Sequence, residues 1–145
     1  MDNSNVIDYF LEKPYWLIDI LPKQVPANGR GEYFKVSDYF LTKSRKDLLC
    51  QKFINVLMKL YCYYDISLLN ILEERIDNPQ PEIIVEWMSS EKNIYVLFDK
   101  EDTMIGFDTD DHYMTLFNPS EEVLKLVQLF ATSEGLFVWK PTNQN

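Results

Sequence analysis

The chain has 145 residues, of which 46% are hydrophobic and 14% aromatic, and this is enough apolar material for one buried core and excludes a disordered protein. Its net charge of −9 is uneven: residues 1–63 hold seven acids and nine lysines or arginines, whereas residues 64–145 hold sixteen acids and five lysines or arginines. This balance argues against free nucleic acid as a partner and favours a protein with a basic surface.

The N-terminal half predicts two helices and two strands. Residues 3–13 have the apolar spacing of a short helix, and residues 15–21, YWLIDIL, are a branched and aromatic run that predicts a buried strand. Residues 32–36 predict a second short strand. The strongest helix signal covers residues 44–64, where apolar side chains recur every three or four positions, with Ser44 as the expected N-cap.

The cysteines and the N-terminus predict a cellular location. Cys50 and Cys62 both fall in the predicted 44–64 helix, about 18 Å apart along its axis. A disulfide needs alpha carbons within about 7 Å, so we predict two free thiols, as in a reducing cytosol. The acidic N-terminus lacks a signal-peptide pattern, and no apolar run approaches the roughly 18 residues of a membrane span. We therefore expect a cytoplasmic protein with no membrane partner.

The C-terminal half predicts a meander of strands between helices. Residues 68–76 predict a helix and residues 82–87 a strand. The runs NIYVLFD, TMIGFD and HYMTLF predict three short strands joined by acidic turns. The sequence NPSEE then predicts a helix with Asn118 as its N-cap and Gly135 at its end, followed by a last strand over residues 136–139.

The mixed order of helices and strands predicts the fold class. Consecutive strands with short turns form an antiparallel sheet, and helices on either side of them in sequence are available to cover it. Residues 1–145 contain no linker long enough to separate two domains. We therefore predict a single α+β domain with a mostly antiparallel sheet, a C-terminal meander and two or more covering helices.

Residues 108–112, DTDDH, include the one histidine of the chain and are the best candidate for a metal site. Asp108 and Asp110 match the first two ligand positions of a calcium loop, but His112 stands at the third, and the glycine and final glutamate of that loop are missing. Zinc prefers several imidazole or thiolate ligands. The acidic turn at residues 99–102 lies beyond an intervening strand, roughly 17 Å away, so the two turns cannot share an ion. We predict a solvated turn, with no metal and no cofactor.

Templates for catalysis are not matched. Cys50 or Cys62 with His112 is the available cysteine–histidine pair, but thiols in an amphipathic helix are usually inert. The nucleophile motif G-x-S-x-G does not occur, and GRG at residues 29–31 lacks the rest of a phosphate-binding pattern. We therefore predict no catalytic residue.

Residues 15–34 join a strand to a long loop that contains two prolines. Asp19 stands among apolar residues of the strand, where a charge faces solvent at a sheet edge or pairs with a cation. Lys23 and Arg30 are the candidate cations. The interpretation that we favour for the loop is an ordinary connection, and the alternative is a binding loop held by a rigid strand.

Two resemblances bear on function. The stretch WLIDILPKQVP, the C-terminal NPSEEVLKLVQLFATSEGLFVWKP and the helix-then-meander order resemble small uncharacterised bacterial proteins. This resemblance covers most of the chain and implies no activity. In being short, acidic, aromatic-rich and free of catalytic motifs, the chain is also similar to immunity proteins, which neutralise toxins from competing bacteria. That similarity implies a protein partner and supplies no functional residue.

The leading hypothesis is a non-enzymatic protein-binding module, of the immunity type, that covers a basic surface on a partner. Acids in the two turns are expected to speed association, and exposed aromatic residues to prolong the complex. The predicted partner-binding residues are Asp99, Glu101, Asp102, Asp108, Asp110 and Asp111. The alternatives are a small hydrolase or ligand-binding enzyme whose carboxylates converge in a pocket, and a homo-oligomeric structural protein.

Overall fold

The computed structural model describes residues 2–90 and 93–142, and in them the chain forms five α-helices and one seven-stranded antiparallel sheet. The α+β class and the C-terminal meander are confirmed. The helices are α1 (Asn3–Leu11), α2 (Tyr33–Phe40), α3 (Lys43–Tyr61), α4 (Pro81–Ser90) and α5 (Glu121–Ser133). The strands are β1 (Tyr15–Asp19), β2 (Ser67–Leu69), β3 (Arg75–Asp77), β4 (Ile94–Phe98), β5 (Thr103–Phe107), β6 (Tyr113–Phe117) and β7 (Phe137–Trp139). Their order in the sheet is β3-β2-β4-β5-β6-β1-β7.

One face of the sheet forms the larger core. Successive side chains of a strand point to opposite faces, so alternate residues such as Ile18, Ile105 and Leu116 share this face. They pack against the apolar sides of α3, α4 and α5, including the fully buried Phe53 and Val127. None of the described helices has the length and apolar content that crossing a membrane requires.

The opposite face of the sheet is covered by α1 over part of its width. Ile7 and Phe10 of α1 pack against Leu69, Leu97 and Met104, which belong to β2, β4 and β5. The helices of the larger core cannot reach this face. On this face, Tyr15 and Phe117 also pack in the α1 cluster, whereas Leu17, Asp19, Tyr113 and Trp139 lie under the loop of residues 20–32.

The prediction of a helix over residues 68–76 is wrong, because this segment forms the β2–β3 hairpin. Asn70 is buried, and its side-chain oxygen accepts hydrogen bonds from the backbone N–H groups of Leu72 and Glu74 at 3.0 and 3.1 Å. An asparagine that binds its own backbone in this way favours a turn over a helix. Asn3 of α1 donates to the carbonyl oxygens of Asn70 and Glu74, so the turn is also held from outside.

The strands predicted over residues 32–36 and 82–87 are wrong as well. In α4, Ile84, Trp87 and Met88 are buried at the three-to-four spacing of a helix, and this burial overrides the strand preference of an Ile-Ile-Val run. In α2, which lies wholly within the described residues, no side chain is buried. Its sequence therefore lacks the repeat of core-facing apolar residues that predicts a helix.

Two helix starts also differ from the predicted ones. Thr42, and not Ser44, precedes α3 as its N-cap. Ser120, and not Asn118, caps α5, because its hydroxyl accepts a hydrogen bond from the N–H of Val123. Gly135, with φ of 75°, follows the end of α5 as predicted, in a conformation that glycine adopts without strain.

We expect Leu116→Ala to lower the free energy of unfolding by about 2–5 kcal/mol, because it leaves a cavity beneath the sheet. Leu116 is fully buried, whereas Leu129 on α5 is 65% exposed. The matched control Leu129→Ala should change the free energy by less than about 0.5 kcal/mol. Urea denaturation followed by circular dichroism measures both, and equal losses would contradict this description of core and surface.

Candidate functional site

A row of side chains crosses the sheet face that α1 leaves open. Residues paired across antiparallel strands lie side by side on the same face, so the strand register gives their order. The row runs from β7 to β4 and consists of Trp139, Leu17, Thr115, Gly106 and Tyr95. All five are half-buried. We call this row and the space above it the aromatic groove.

The depth of the aromatic groove follows from the small residues in the middle of the row. Gly106 has no side chain, and a Cβ atom there would lie 3.4 Å from ring atoms of Tyr95 and Phe117. Thr115 beside it is also short. Large rings rise on both sides of these two positions, with Tyr113 on one side and Phe117 on the other. The sheet therefore presents a channel and not a flat surface.

Three adjoining depressions make up the length of the aromatic groove. Their volumes are about 140, 490 and 510 Å³. The first two share Leu11 and Thr115, and the last two share Leu17 and Gln24. Leu11 ends α1 and Gln24 belongs to the 20–32 loop, so the groove extends from the end of α1 to this loop. We call the 510 Å³ depression beneath the 20–32 loop the loop pocket.

Acids predominate among the charged residues that line the aromatic groove. Asp108 and Asp111 lie at the α1 end, and Asp19 and Glu32 line the loop pocket. Lys23 is the one base among the described lining residues. Burial, followed by the nearby charge of Asp108, raises the pKa of Asp111. The charges that line the groove are therefore mainly negative.

Asp19 departs from both expectations for its charge. It is only 3% exposed, so it does not face solvent, and neither Lys23 nor Arg30 is its partner. Its Oδ1 atom lies 3.2 Å from Nδ1 of His112, which is itself buried. The prediction that residues 108–112 are simply a solvated turn is therefore wrong at His112.

Two further groups donate hydrogen bonds to the Asp19 carboxylate. The backbone N–H of Ile20 donates to Oδ1 at 2.7 Å, and the indole Nε1–H of Trp139 donates to Oδ2 at 3.1 Å. The pair of Asp19 and His112 thus joins β1, the start of β6 and the end of β7. A buried carboxylate is tolerated when it is paired and hydrogen-bonded in this way.

Tyr33 extends this pair into the loop pocket. Its hydroxyl oxygen lies 2.8 Å from Nε2 of His112. Because the Asp19 carboxylate only accepts hydrogen bonds, Nδ1 of His112 must carry a proton, and in the neutral ring Nε2 accepts from Tyr33. Tyr33 is the first residue of α2, so this bond fixes the end of the 20–32 loop to the sheet.

The pKa values of both His112 and Tyr33 in this chain are raised. The hydrogen bond to Asp19 raises the pKa of His112, although burial opposes it. Burial, then the charges of Asp19 and Asp111, raises the pKa of Tyr33. A nucleophile is activated by a lowered pKa or by an adjacent general base. The raised pKa of Tyr33 is unfavourable in the first respect, whereas His112, oriented by Asp19, lies beside its hydroxyl as a base would.

The acidic turn at residues 99–102 lies at one end of β5 and is largely engaged with its own neighbours. Asp99 is exposed, whereas burial raises the pKa of Glu101. Asp102 accepts hydrogen bonds from the hydroxyl of Tyr9 at 3.0 and 3.1 Å and from the side chain of Asn118 at 3.1 Å. Asp102 therefore stabilises the fold as well as carrying charge.

The turn at residues 108–111 lies at the other end of β5 and contributes to the aromatic groove. Asp108 closes the turn by accepting the backbone N–H of Asp110 at 2.9 Å. Asp110 points to Lys46, with 3.5 Å between Oδ1 and Nζ. Of the six predicted partner-binding acids, Asp108 and Asp111 line the groove. A partner-binding role for all six stays a prediction.

Metal binding and nucleophilic attack by a thiol have little support among the described residues. Within residues 2–90 and 93–142, no three side chains of the His, Cys, Asp and Glu types are grouped to hold a metal ion. Cys50 and Cys62 are both free thiols. Burial raises the pKa of Cys50 to about 11, and its Sγ donates to the carbonyl oxygen of Met88 at 3.4 Å. Cys50 is thus a poor nucleophile.

Sequence reasoning missed His112, Tyr33 and Trp139 as members of one site. The signal that pointed to it was Asp19, a charge in an apolar strand that needs a buried partner. The distance in sequence between Asp19 and His112 is 93 residues. The β1–β6 register, which sets Asp19 opposite Tyr113, is what brings His112 beside it.

We expect the imidazole of His112 to titrate above its ordinary pKa of 6.5. The stabilisation from the bond to Asp19 is then complete below pH 6.5 and is lost as the pH rises through the pKa of the folded protein. The difference in unfolding free energy between wild type and His112→Gln should accordingly shrink with rising pH. Trp139→Phe removes an indole donor but no titrating group and should keep the pH dependence.

Nuclear magnetic resonance of the single histidine measures its pKa directly, and urea denaturation between pH 5.5 and 9 measures the free energies. A titration midpoint at or below 6.5, or a difference that grows with pH, would contradict the assigned pair.

We expect the two thiols to react at different rates with a disulfide reagent at pH 8. A pKa near 11 in place of 9.0 lowers the thiolate fraction of Cys50 about a hundredfold, and its burial slows access further. Cys62 is exposed and should react first. Cys62→Ser should leave only the slow reaction in the folded protein and a fast one in urea. Two equal fast phases in wild type would count against this assignment.

Comparisons with known proteins found no relative from which a function is transferred. No family model matches the chain, and neither a curated protein nor a solved structure matches it. The functional interpretation therefore depends on the geometry of this chain alone.

Proposed function

We propose that this protein is a non-enzymatic protein-binding module whose aromatic groove takes a basic segment of a partner protein. The observation that carries the proposal is a ring-lined channel across the sheet, bordered by the end of α1 and by the 20–32 loop with the start of α2, and lined by four acids against one lysine. An exposed apolar surface with a charged rim is typical of an interaction site. The specific form that we propose is an immunity-type inhibitor, which covers a basic surface on a toxin.

The residues of the aromatic groove have the character of interface anchors. Tyrosine and tryptophan supply much of the binding free energy in protein complexes, since they bury large areas with little loss of side-chain freedom. Tyr95, Tyr113 and Trp139 are half-buried in the free protein, so their positions are held before a partner binds. Such preorganisation lowers the entropic cost of association.

The charges around the aromatic groove add speed and selectivity. Asp108 and Asp111 at one end would meet a basic segment at short range. The remaining acids of residues 64–145, including Asp99 at the opposite end of β5, would attract the same partner at longer range. The proposal thus assigns direct contact to two of the six predicted acids and steering to the rest.

One observation favours the alternative of a small hydrolase or ligand-binding enzyme. It is the hydrogen-bonded chain from Tyr33 through His112 to Asp19 at the loop pocket. The raised pKa of Tyr33 weighs against it. This alternative stays a prediction and ranks second.

A charge placed in the middle of the aromatic groove tests the proposed function. Thr115→Lys puts a cation on the floor beside Gly106, whereas Thr132→Lys makes the same change on the exposed surface of α5. Proteins retained from a lysate of the native host by immobilised wild-type protein and by each variant are identified by mass spectrometry. We expect a basic protein that is retained by wild type and by Thr132→Lys and is lost with Thr115→Lys.

The affinity of that protein is then measured by titration calorimetry at two salt concentrations. Thr115→Lys should weaken binding at least about tenfold, and the control less than about twofold. Equal binding by both variants would contradict the groove as the interface. Light scattering separates a third case, because a wild-type dimer that Thr115→Lys dissociates would mean that a second copy occupies the groove.

The inhibitor form of the proposal has its own test. The captured partner is expressed in a host cell with wild-type protein, with Thr115→Lys or alone. We expect the partner to stop growth alone and with Thr115→Lys, and wild-type protein to restore growth. A partner that is harmless when expressed alone would restrict the proposal to protein binding without inhibition.

A further inference from the structure

The loop pocket combines aromatic walls with a buried carboxylate. Tyr113 and Trp139 belong to the sheet, and Phe34 of α2 stands beside the entrance at 80% exposure. Tyr33 lies against Phe34, with 5.4 Å between the ring centroids. Asp19 lines the same pocket at only 3% exposure, so it forms the inner end. The volume of about 510 Å³ falls in the range of roughly 300–1,000 Å³ that is usual for ligand pockets.

The carboxylate of Asp19 retains hydrogen-bonding capacity on one oxygen. Among the described residues, Oδ1 accepts from Ile20 and lies beside His112, and Oδ2 accepts from the indole of Trp139. An ionised carboxylate has about four acceptor sites. Oδ2 therefore has acceptor capacity that these bonds do not use.

We propose that the loop pocket binds one arginine side chain of the partner protein, with its guanidinium stacked on the aromatic walls and donating to Oδ2 of Asp19. This inference rests on the proposed function, since it names the anchor of the segment in the aromatic groove. A guanidinium is planar, less strongly hydrated than an ammonium and able to stack on rings while it donates hydrogen bonds at its edge. Lysine offers a compact, strongly hydrated charge and fits this combination less well.

Three charged groups around the loop pocket modulate the affinity for a cation. Glu32 at the entrance adds attraction, and Lys23 in the 20–32 loop opposes it. The third group is His112. Its neighbours are Asp19 of β1, Tyr33 of α2, and Asp111 and Tyr113, which adjoin it in the chain. When His112 carries a proton, it compensates the charge of Asp19. A cation is therefore bound more tightly after His112 loses that proton.

Small capped amino acids test the pocket without the partner. The probes are N-acetyl-arginine methylamide, its uncharged analogue N-acetyl-citrulline methylamide, and N-acetyl-lysine methylamide. The readout is the indole N–H signal of Trp139, which reports on Oδ2 of Asp19 and is assigned among the three tryptophans with Trp139→Phe. We expect a saturable shift with the arginine compound, at least about tenfold weaker affinity for citrulline, and weaker affinity for lysine than for arginine.

Substitutions separate the parts of the pocket. Asp19→Asn should weaken arginine binding at least about tenfold, and Lys23→Gln should strengthen it. Because Asp19 is buried and its replacement risks unfolding, Phe34→Ala serves as a second test on an 80% exposed side chain. It should weaken binding about threefold or more, whereas Tyr63→Ala, at an exposed ring away from the pocket, should have no effect. Binding should also weaken as the pH falls through the titration of His112.

Several results would overturn the inference. Equal shifts with arginine and citrulline, or no saturable shift with arginine, would show that the pocket does not select a guanidinium. Free arginine binding at least about tenfold more tightly than its capped form would indicate a metabolite site instead of a peptide anchor. If these probes fail while Thr115→Lys still abolishes capture of the partner, the arginine anchor is wrong and the proposed function stands. If Thr115→Lys still captures the partner while the loop pocket binds the arginine compound, the groove is not the interface and the proposed function is wrong, although the pocket binds a guanidinium.

Discussion

The buried carboxylate of Asp19 is the constraint around which one edge of this sheet is organised. Removing a charge from water costs several kcal/mol unless hydrogen bonds and an opposite charge offset it. Here the donors come from the backbone of Ile20, from His112 before β6 and from Trp139 at the end of β7. The donors of His112 and Trp139 reach Asp19 because β1 lies between β6 and β7. The hydrogen bonds that satisfy the charge therefore also hold these three strands in their order.

The pair of Asp19 and His112 also shapes the surface above the sheet. Tyr33 binds the outer nitrogen of the imidazole, and this contact holds the start of α2 and the end of the 20–32 loop over β1, β6 and β7. The loop stands away from the sheet on the side of Trp139 and leaves the loop pocket beneath it. A fold-stabilising hydrogen bond and a candidate binding site thus share the same residues. The charge that a ligand meets there depends on the proton of His112.

The aromatic groove is a consequence of how the second face of the sheet is covered. α1 packs over β2, β4 and β5 and ends at Leu11, and the 20–32 loop covers the opposite edge. Between them, Gly106 and Thr115 leave the floor low while Tyr95 and Trp139 stand at the ends of the row. Half-buried rings in a channel lined mainly by acids are the features that support the proposed basic partner segment. The turns contribute charge, but Asp102 and Asp108 are in part occupied with holding the fold.

The α+β class, the meander of β4, β5 and β6, and the helices α1, α3 and α5 were all predictable from the order of residues. Those elements follow from periodicity and turn residues within a few positions of one another. The β2–β3 hairpin and α4 were not predicted, because the side-chain bonds of Asn70 and the burial of α4 outweighed local preference there. Nor was α2, which buries no side chain and so has no apolar repeat that indicates a helix. The candidate site was decided by tertiary structure alone. Asp19 predicted that a partner exists, but the pairing of β1 with β6 and β7 brings His112, Trp139 and the groove together across most of the chain, and no local pattern encodes a contact over 93 residues.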